Sequence, residues 1–111
     1  MVKVSGSEVD KVSRRQDIRV DPFSHEFDMG LARPLSRSVR LNGFATCLRL
    51  EQVYWDILAR MAKRNCCSVS ALLSHVDREV HLRHGGVKNF SGLVRVMCVV
   101  DSLSDSAASI E

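Results

Sequence analysis

Apolar and polar residues alternate over Thr46-Cys47-Leu48-Arg49-Leu50, and from Glu51 the apolar positions fall instead at helical spacing. A period of two belongs to a strand with one buried face, and a period near 3.6 belongs to an amphipathic helix. Tyr54, Leu58, Met61 and Ala62 recur at i, i+4, i+7 and i+8, with Ile57 beside them, which predicts a first helix over Glu51 to Asn65. Glu51 opens it and Lys63 and Arg64 close it, both placements suiting the helix dipole. Ser68 is a natural N-cap for a second helix carrying Val69, Leu72, Leu73, Val76 and Val80, which His84-Gly85-Gly86 ends. Asn89 can cap a third, where Phe90, Leu93, Val94, Met97 and Val100 line one side and Val96, Cys98 and Val99 widen it. So apolar a helix is expected to be almost wholly buried. The Ser-, Asp- and Ala-rich end, 104–111, reads as a disordered tail.

Upstream of Thr46 the pattern is weaker. Ser36 to Leu41 places Val39 and Leu41 on one side and Arg40 on the other, and Asn42-Gly43 is a turn signal. A hairpin with the Thr46 strand is one reading of this stretch. Leu35 to Leu41 contains few strand-forming residues, so the expectation is a single strand with no partner in its own chain. Residues 1–37 mix Ser, Asp, Arg and Gly without a sustained period and read as a flexible basic arm. Within it, Val2-Lys3-Val4 and Ile18-Arg19-Val20 alternate too briefly to define strands.

With 111 residues the chain has room for one small domain, 38–103 on this reading, of a size that is marginal alone. The net charge of +3 says little, but its distribution says more: Leu31 to Leu50 contains no Asp or Glu and four arginines, Arg33, Arg37, Arg40 and Arg49. No stretch approaches the roughly 20 apolar residues a membrane span requires, and the start lacks a secretory pattern, so a cytoplasmic protein with no membrane contact is expected. The four cysteines, Cys47, Cys66, Cys67 and Cys98, fit neither a disulfide framework nor a zinc site. Reduced thiols, no metal and no cofactor are expected.

A lone strand leaves its N–H and C=O groups exposed, and antiparallel pairing with the same strand of a second copy across a two-fold axis would satisfy them. The resulting ribbon would bury Leu48 and Leu50 with Trp55, Leu58, Leu72, Leu73 and Val76 at the core and dimer interface, and turn Ala45, Cys47 and Arg49 outward. A two-stranded ribbon is narrow enough for a DNA major groove.

These residues resemble the ribbon-helix-helix DNA-binding family. The resemblance runs from about Ser38 to Leu103, and rests on the strand-to-helix junction Leu50-Glu51-Gln52-Val53-Tyr54-Trp55 and on an added third helix opening Asn89-Phe90-Ser91, as in a bacterial subgroup. It implies a mainly α fold, a homodimer, and base contacts from Ala45, Cys47 and Arg49. The start of the second helix, Ser68, Val69 and Ser70, would hold a phosphate through backbone N–H groups. Arg37 and Arg40 are further candidates for phosphates. Where the family often has Gly before the second helix, this chain has Cys66.

No catalytic set emerges. His75 and Asp77, at i, i+2, fall on different sides of their helix, and His81 and His84 lack a thiol or acid at ligand spacing. The expected function is sequence-specific duplex DNA binding by a nucleoid-associated transcriptional regulator, a repressor. The alternative is an antitoxin-like or relaxosome accessory module in which a tail captures a protein partner.

Overall fold

Asn42 and Gly43 both hold positive φ, 52° and 92°, and this two-residue turn folds strand β1 (Pro34–Leu41) back onto strand β2 (Phe44–Glu51). The computed structural model describes Arg19, Asp21, Phe23 and residues 27–110, the last four by backbone alone. The short alternations at Val2 to Val4 and Ile18 to Val20 therefore lie outside the described residues, Arg19 excepted. The expected single strand is thus corrected: the strand before the first helix has an antiparallel partner within its own chain, paired from Leu41↔Phe44 to Pro34↔Glu51. Asn-Gly is suited to a turn that needs φ > 0 twice, and its twist matches that of the strands it joins. That local geometry, with packing on one face, outweighs the modest strand propensity of Leu35 to Leu41.

The register sorts the side chains. Leu35, Arg37, Val39 and Leu41 share one face with Phe44, Thr46, Leu48 and Leu50, and this face lies toward the helices, where Val39, Leu48 and Leu50 are buried. Pro34, Ser36, Ser38 and Arg40 share the other with Ala45, Cys47 and Arg49, all exposed. A 3₁₀ turn, Met29–Ala32, capped by Asp28 Oδ1 on the Gly30 N–H at 2.8 Å, leads into β1. The strand therefore begins at Pro34, inside the segment expected as an arm.

Helix α1 spans Gln52–Arg64 and buries Trp55, Ile57, Leu58, Met61 and Ala62. Glu51 stands at its cap position in extended conformation and not within its first turn. Trp55 also ties the helix to the ribbon: its Nε1–H donates to the Leu35 carbonyl at 2.9 Å, and the Arg37 guanidinium lies over its ring, 5.1 Å from the centroid. The helix ends in a Schellman turn, with Cys67 N–H on Ala62 C=O (3.0 Å) and Cys66 N–H on Lys63 C=O (3.1 Å). Cys66 takes the left-handed position at φ 54°, which the resemblance assigns to Gly. A Cβ there is strained, so Cys66→Gly is expected to raise stability by about 1 kcal/mol in denaturant unfolding. An unchanged or lower midpoint would show that the turn carries no such strain.

Helix α2 spans Val69–His84, capped by Ser68 Oγ on the Ala71 N–H at 3.0 Å and ended by Gly85 at φ 72°. Leu73 is fully buried, while Val69, Leu72, Val76 and Val80 are half-buried. Helix α3 spans Phe90–Ile110, with Asn89 Oδ1 accepting from the Gly92 N–H at 2.9 Å. Two expectations fail here. The segment read as a tail from residue 104 is helical through Ile110, and the helix is not buried all round: Val94 and Cys98 are at 0 % exposure, yet Val96, Val99, Val100 and Leu103 are exposed. The rest of the chain covers α3 on one side, where Arg64 pairs with Asp101 and Arg95 with Glu51.

Candidate nucleic-acid interface

The outward face of the hairpin gathers the residues singled out for base contact. The register sets Arg49 opposite Ser36, Cys47 opposite Ser38 and Ala45 opposite Arg40, and all six are exposed. Since residues 31–50 contain no acid, this face carries two guanidinium groups, from Arg40 and Arg49, without an intervening carboxylate. Arg49 has no hydrogen-bond or ion-pair partner among the described residues, whereas Arg40 Nη1 donates to the Gly43 carbonyl at 3.1 Å. Arg37 is set apart: it lies on the helix-side face, over Trp55.

Helix α2 is fastened along the edge of β1. The Gln52 N–H donates to the Arg33 carbonyl at 2.8 Å, so ladder bonds join every second pair from there to Leu41 and Phe44, and Arg40 turns its backbone groups away from β2. Serine hydroxyls one helical turn apart meet them: Ser70 Oγ accepts from Arg40 N–H (3.2 Å), while Ser74 Oγ donates to Arg40 C=O (3.0 Å) and accepts from Asn42 N–H (3.0 Å). Asn42 Nδ2 donates to Asp77 Oδ2 (3.1 Å), and Arg78 Nη1 donates to Asn42 Oδ1 (2.7 Å). The start of α2 is thereby held beside Arg40. Of the three residues expected at a phosphate there, Ser68 and Ser70 have their hydroxyls engaged within the chain, and the N–H groups of Val69 and Ser70 are what the helix has to offer an anion, that of Ala71 being taken by Ser68 Oγ. Sequence reasoning missed Ser74, Asn42, Asp77 and Arg78; the i, i+4 spacing of Ser70 and Ser74 on a polar helix face was the available signal.

The outer edge of β2 differs. By the same alternation, Ala45, Cys47 and Arg49 direct their backbone N–H and C=O groups away from β1. Near its end, Glu51 bonds Arg95 Nε at 2.9 Å; that bond holds the Glu51 carboxyl below the ordinary carboxylate range, with its own backbone amide and the Arg49 charge acting the same way. The ion pair is present above the ordinary carboxylate pKa and lost as pH falls through the lowered one.

Cys47, Cys66 and Cys67 are exposed and free, and Cys98 is buried. Burial, reinforced by Asp101 and opposed by Arg60, pushes the Cys98 thiol up to about 11, so it is protonated at neutral pH. His81 Nε2 lies 3.6 Å from Asp77 Oδ1 within α2, and Asp77 is also bonded to Asn42, which gives the pair a place in the strand-edge contacts. Among the described residues no helix is long and apolar enough to cross a membrane.

No curated protein shows significant similarity to the chain. Among solved structures, that of an uncharacterized protein from Bordetella pertussis Tohama I is similar at 30% identity and a TM-score of 0.69, over 74% of this chain and 66% of that one. The chain thus spans slightly under two thirds of that protein. A family model described as a ribbon-helix-helix domain matches residues 34–101, from the first residue of β1 to the Asp101 that anchors α3, and the chain belongs to the ribbon-helix-helix family.

Proposed function

We propose that this protein is a transcriptional regulator, a repressor, that acts as a homodimer and reads duplex DNA by laying the outward face of its hairpin in the major groove. The ribbon-helix-helix family is one of DNA-binding regulators, which gives the general class. The observation that carries the finer reading is the exposed face on which Arg49, with no hydrogen bond or ion pair among the described residues, stands opposite Ser36. A guanidinium with no hydrogen bond or ion pair among the described residues can make a bidentate contact to guanine O6 and N7, and small neighbours let the strands approach the base edges. Cys47 and Ala45 add apolar contact but little hydrogen bonding. Arg40 sits where ribbon meets α2, so its charge and the first-turn N–H groups of α2 flank the ribbon on the side where a phosphate strand would run. On this reading the protein works on the nucleoid, in the cytoplasm, with no catalytic step.

The strand pairing expected between two copies is not needed to make the ribbon, because β1 supplies the second strand. A groove about 12 Å wide accepts two strands spaced about 4.8 Å apart, and one chain presents such a pair. The second reading, a tail that captures a protein, is favoured by one observation: Phe23 and Phe27 stack edge to face at 4.9 Å, and both are exposed, as is Met29.

Repeated selection from random duplexes by the full chain separates the two. Enrichment of one short motif, with two copies related by a two-fold axis, is expected for the groove reader. Uniform, salt-sensitive retention of all duplexes, or none, would reject it.

A further inference from the structure

Between the 3₁₀ turn, the start of α1 and the N-terminal half of α3 lies a cavity of about 440 Å³ that the DNA-binding reading does not use. Phe27, Leu31 and Ala32 line it from the turn and its lead-in, and Val53 and Tyr54 from the first turn of α1. The other lining residues are Glu51 and Arg95, joined at 2.9 Å, with 34 % of each side chain exposed. The Gln52 N–H on the Arg33 carbonyl holds the 3₁₀ turn to α1, and the Arg95 guanidinium lies over the Tyr54 ring, 5.9 Å from its centroid, so the apolar lining and the ion pair are tied to one another. We infer that this cavity binds a free α-amino acid with an apolar side chain, whose two charged groups are taken by Arg95 and Glu51.

Charge selects this class of ligand. Among the described residues the pair supplies the only charges that line the cavity, one of each sign and in contact, and the Arg95 guanidinium beside Glu51 holds its carboxyl below the ordinary carboxylate range, so both are ionised at neutral pH. Their bond uses Nε of Arg95 and Oε1 of Glu51, one of five guanidinium donors and one of two carboxylate oxygens. A lone carboxylate brought to Arg95 would meet Glu51, and a lone ammonium brought to Glu51 would meet Arg95. An α-amino acid carries both charges on one carbon. With its carboxylate on Arg95 and its ammonium on Glu51, four charges alternate in sign around a ring that the existing ion pair closes, and each neighbour is an opposite charge. Its side chain then has Phe27, Leu31, Ala32 and Val53 to cover it. A mainly apolar cavity of roughly 300–1,000 Å³ with a few convergent polar groups is the usual form of a small-molecule site. The DNA-binding reading gives such a ligand a use, because Glu51 ends the strand that carries Arg49 two residues before it, but the inference stands without that reading.

Isothermal titration calorimetry of the full chain without DNA tests the site, with leucine and phenylalanine as probes. Saturable binding of one or both, one molecule per chain, is expected. Leucinamide, which lacks the carboxylate, and 4-methylpentanoate, which lacks the ammonium, should each bind at least about tenfold more weakly than leucine, since each loses a charge-assisted contact. Glutamate and lysine, with charged side chains against the apolar lining, should bind more weakly too. Glu51→Gln should abolish the preference for leucine over 4-methylpentanoate, a change that a merely structural ion pair would not produce. Ala32→Phe, at an exposed position of the 3₁₀ turn, fills the cavity and should abolish binding with unchanged circular dichroism. No saturable binding of either amino acid overturns the inference, as does leucinamide or 4-methylpentanoate binding as tightly as leucine; these comparisons need no variant. Should Glu51→Gln unfold, Ala32→Phe decides the place: leucine binding undiminished in that variant also overturns the inference. Failure of the DNA reading looks different, since a chain that binds leucine yet enriches no duplex supports this site while rejecting the groove reader.

Discussion

Leu50→Asp is expected to leave the chain without a cooperative thermal transition. Leu50 has no exposed surface, stands opposite Leu35 in the ribbon, and belongs to the core formed by Leu58, Leu73, Val94 and Cys98. Among the described residues that core contains no buried polar or charged group, so nothing there can pair with a carboxylate. Burying an unpaired charge, or the protonated acid that replaces it, costs several kcal/mol, and the loss of the leucine leaves a cavity that adds more. A small domain holds only about 5–15 kcal/mol in total, and one this short sits toward the low end. The control is Ala45→Asp, which puts the same carboxylate on the outward face and should move the midpoint by no more than a surface change does, within about 0.5 kcal/mol. A Leu50→Asp variant that melts like the wild type would mean that the hairpin does not turn this face to the helices.

The second large effect concerns recognition. Arg49→Ala is expected to weaken binding to the selected motif by about 1–3 kcal/mol per ribbon and to flatten the preference at one base pair, because a bidentate contact to guanine is lost. Arg37→Ala should behave otherwise. Its guanidinium lies over Trp55 on the opposite face, and its removal should cost about 0.5–1 kcal/mol of stability through the lost stacking while leaving the order of preferred sequences intact. Mobility-shift titrations on the selected motif and on a scrambled duplex, at two salt concentrations, distinguish these outcomes. Arg49→Ala with both affinity and preference unchanged would remove the ribbon as the reading surface, and the exposed Phe23 and Phe27 would become the better guide to a partner.

The contrast between Arg37 and Arg49 also shows how far a linear reading reaches. Both lie in the acid-free segment, and in sequence they differ by little more than position. Their sides follow from the register, Arg37 opposite Leu48 and Arg49 opposite Ser36, and a register shifted by one residue would put both on one face. That register is set by the Asn42-Gly43 turn, whose two positive φ angles fix which residues face each other. The signal was present in two letters, but its weight against weak strand propensity was decided by packing: Ser70 and Ser74, thirty and more residues away, meet the backbone of Arg40 and Asn42.

By itself the sequence determined the elements whose cause is local. Apolar spacing set helices α1 and α2, Ser68 and Asn89 capped α2 and α3, Gly85 ended α2, and the alternation at Thr46 to Leu50 put Leu48 and Leu50 inside and Arg49 outside. The left-handed turn at Cys66 was suggested only by the family resemblance, which often has Gly there, and the structure keeps that turn with a non-glycine residue at φ 54°. What only the tertiary structure decided is which surfaces are already satisfied. Hydrophobic periodicity reports that a face must be covered but is blind to what covers it, so it did not show that one edge of β2 is already paired with β1 of its own chain. For the same reason it predicts α3 buried on every side, whereas one chain covers Val94 and Cys98 and leaves Val96, Val99, Val100 and Leu103 exposed. Cover is a long-range, non-directional matter of which segments meet in space, and no local pattern in the chain encodes it.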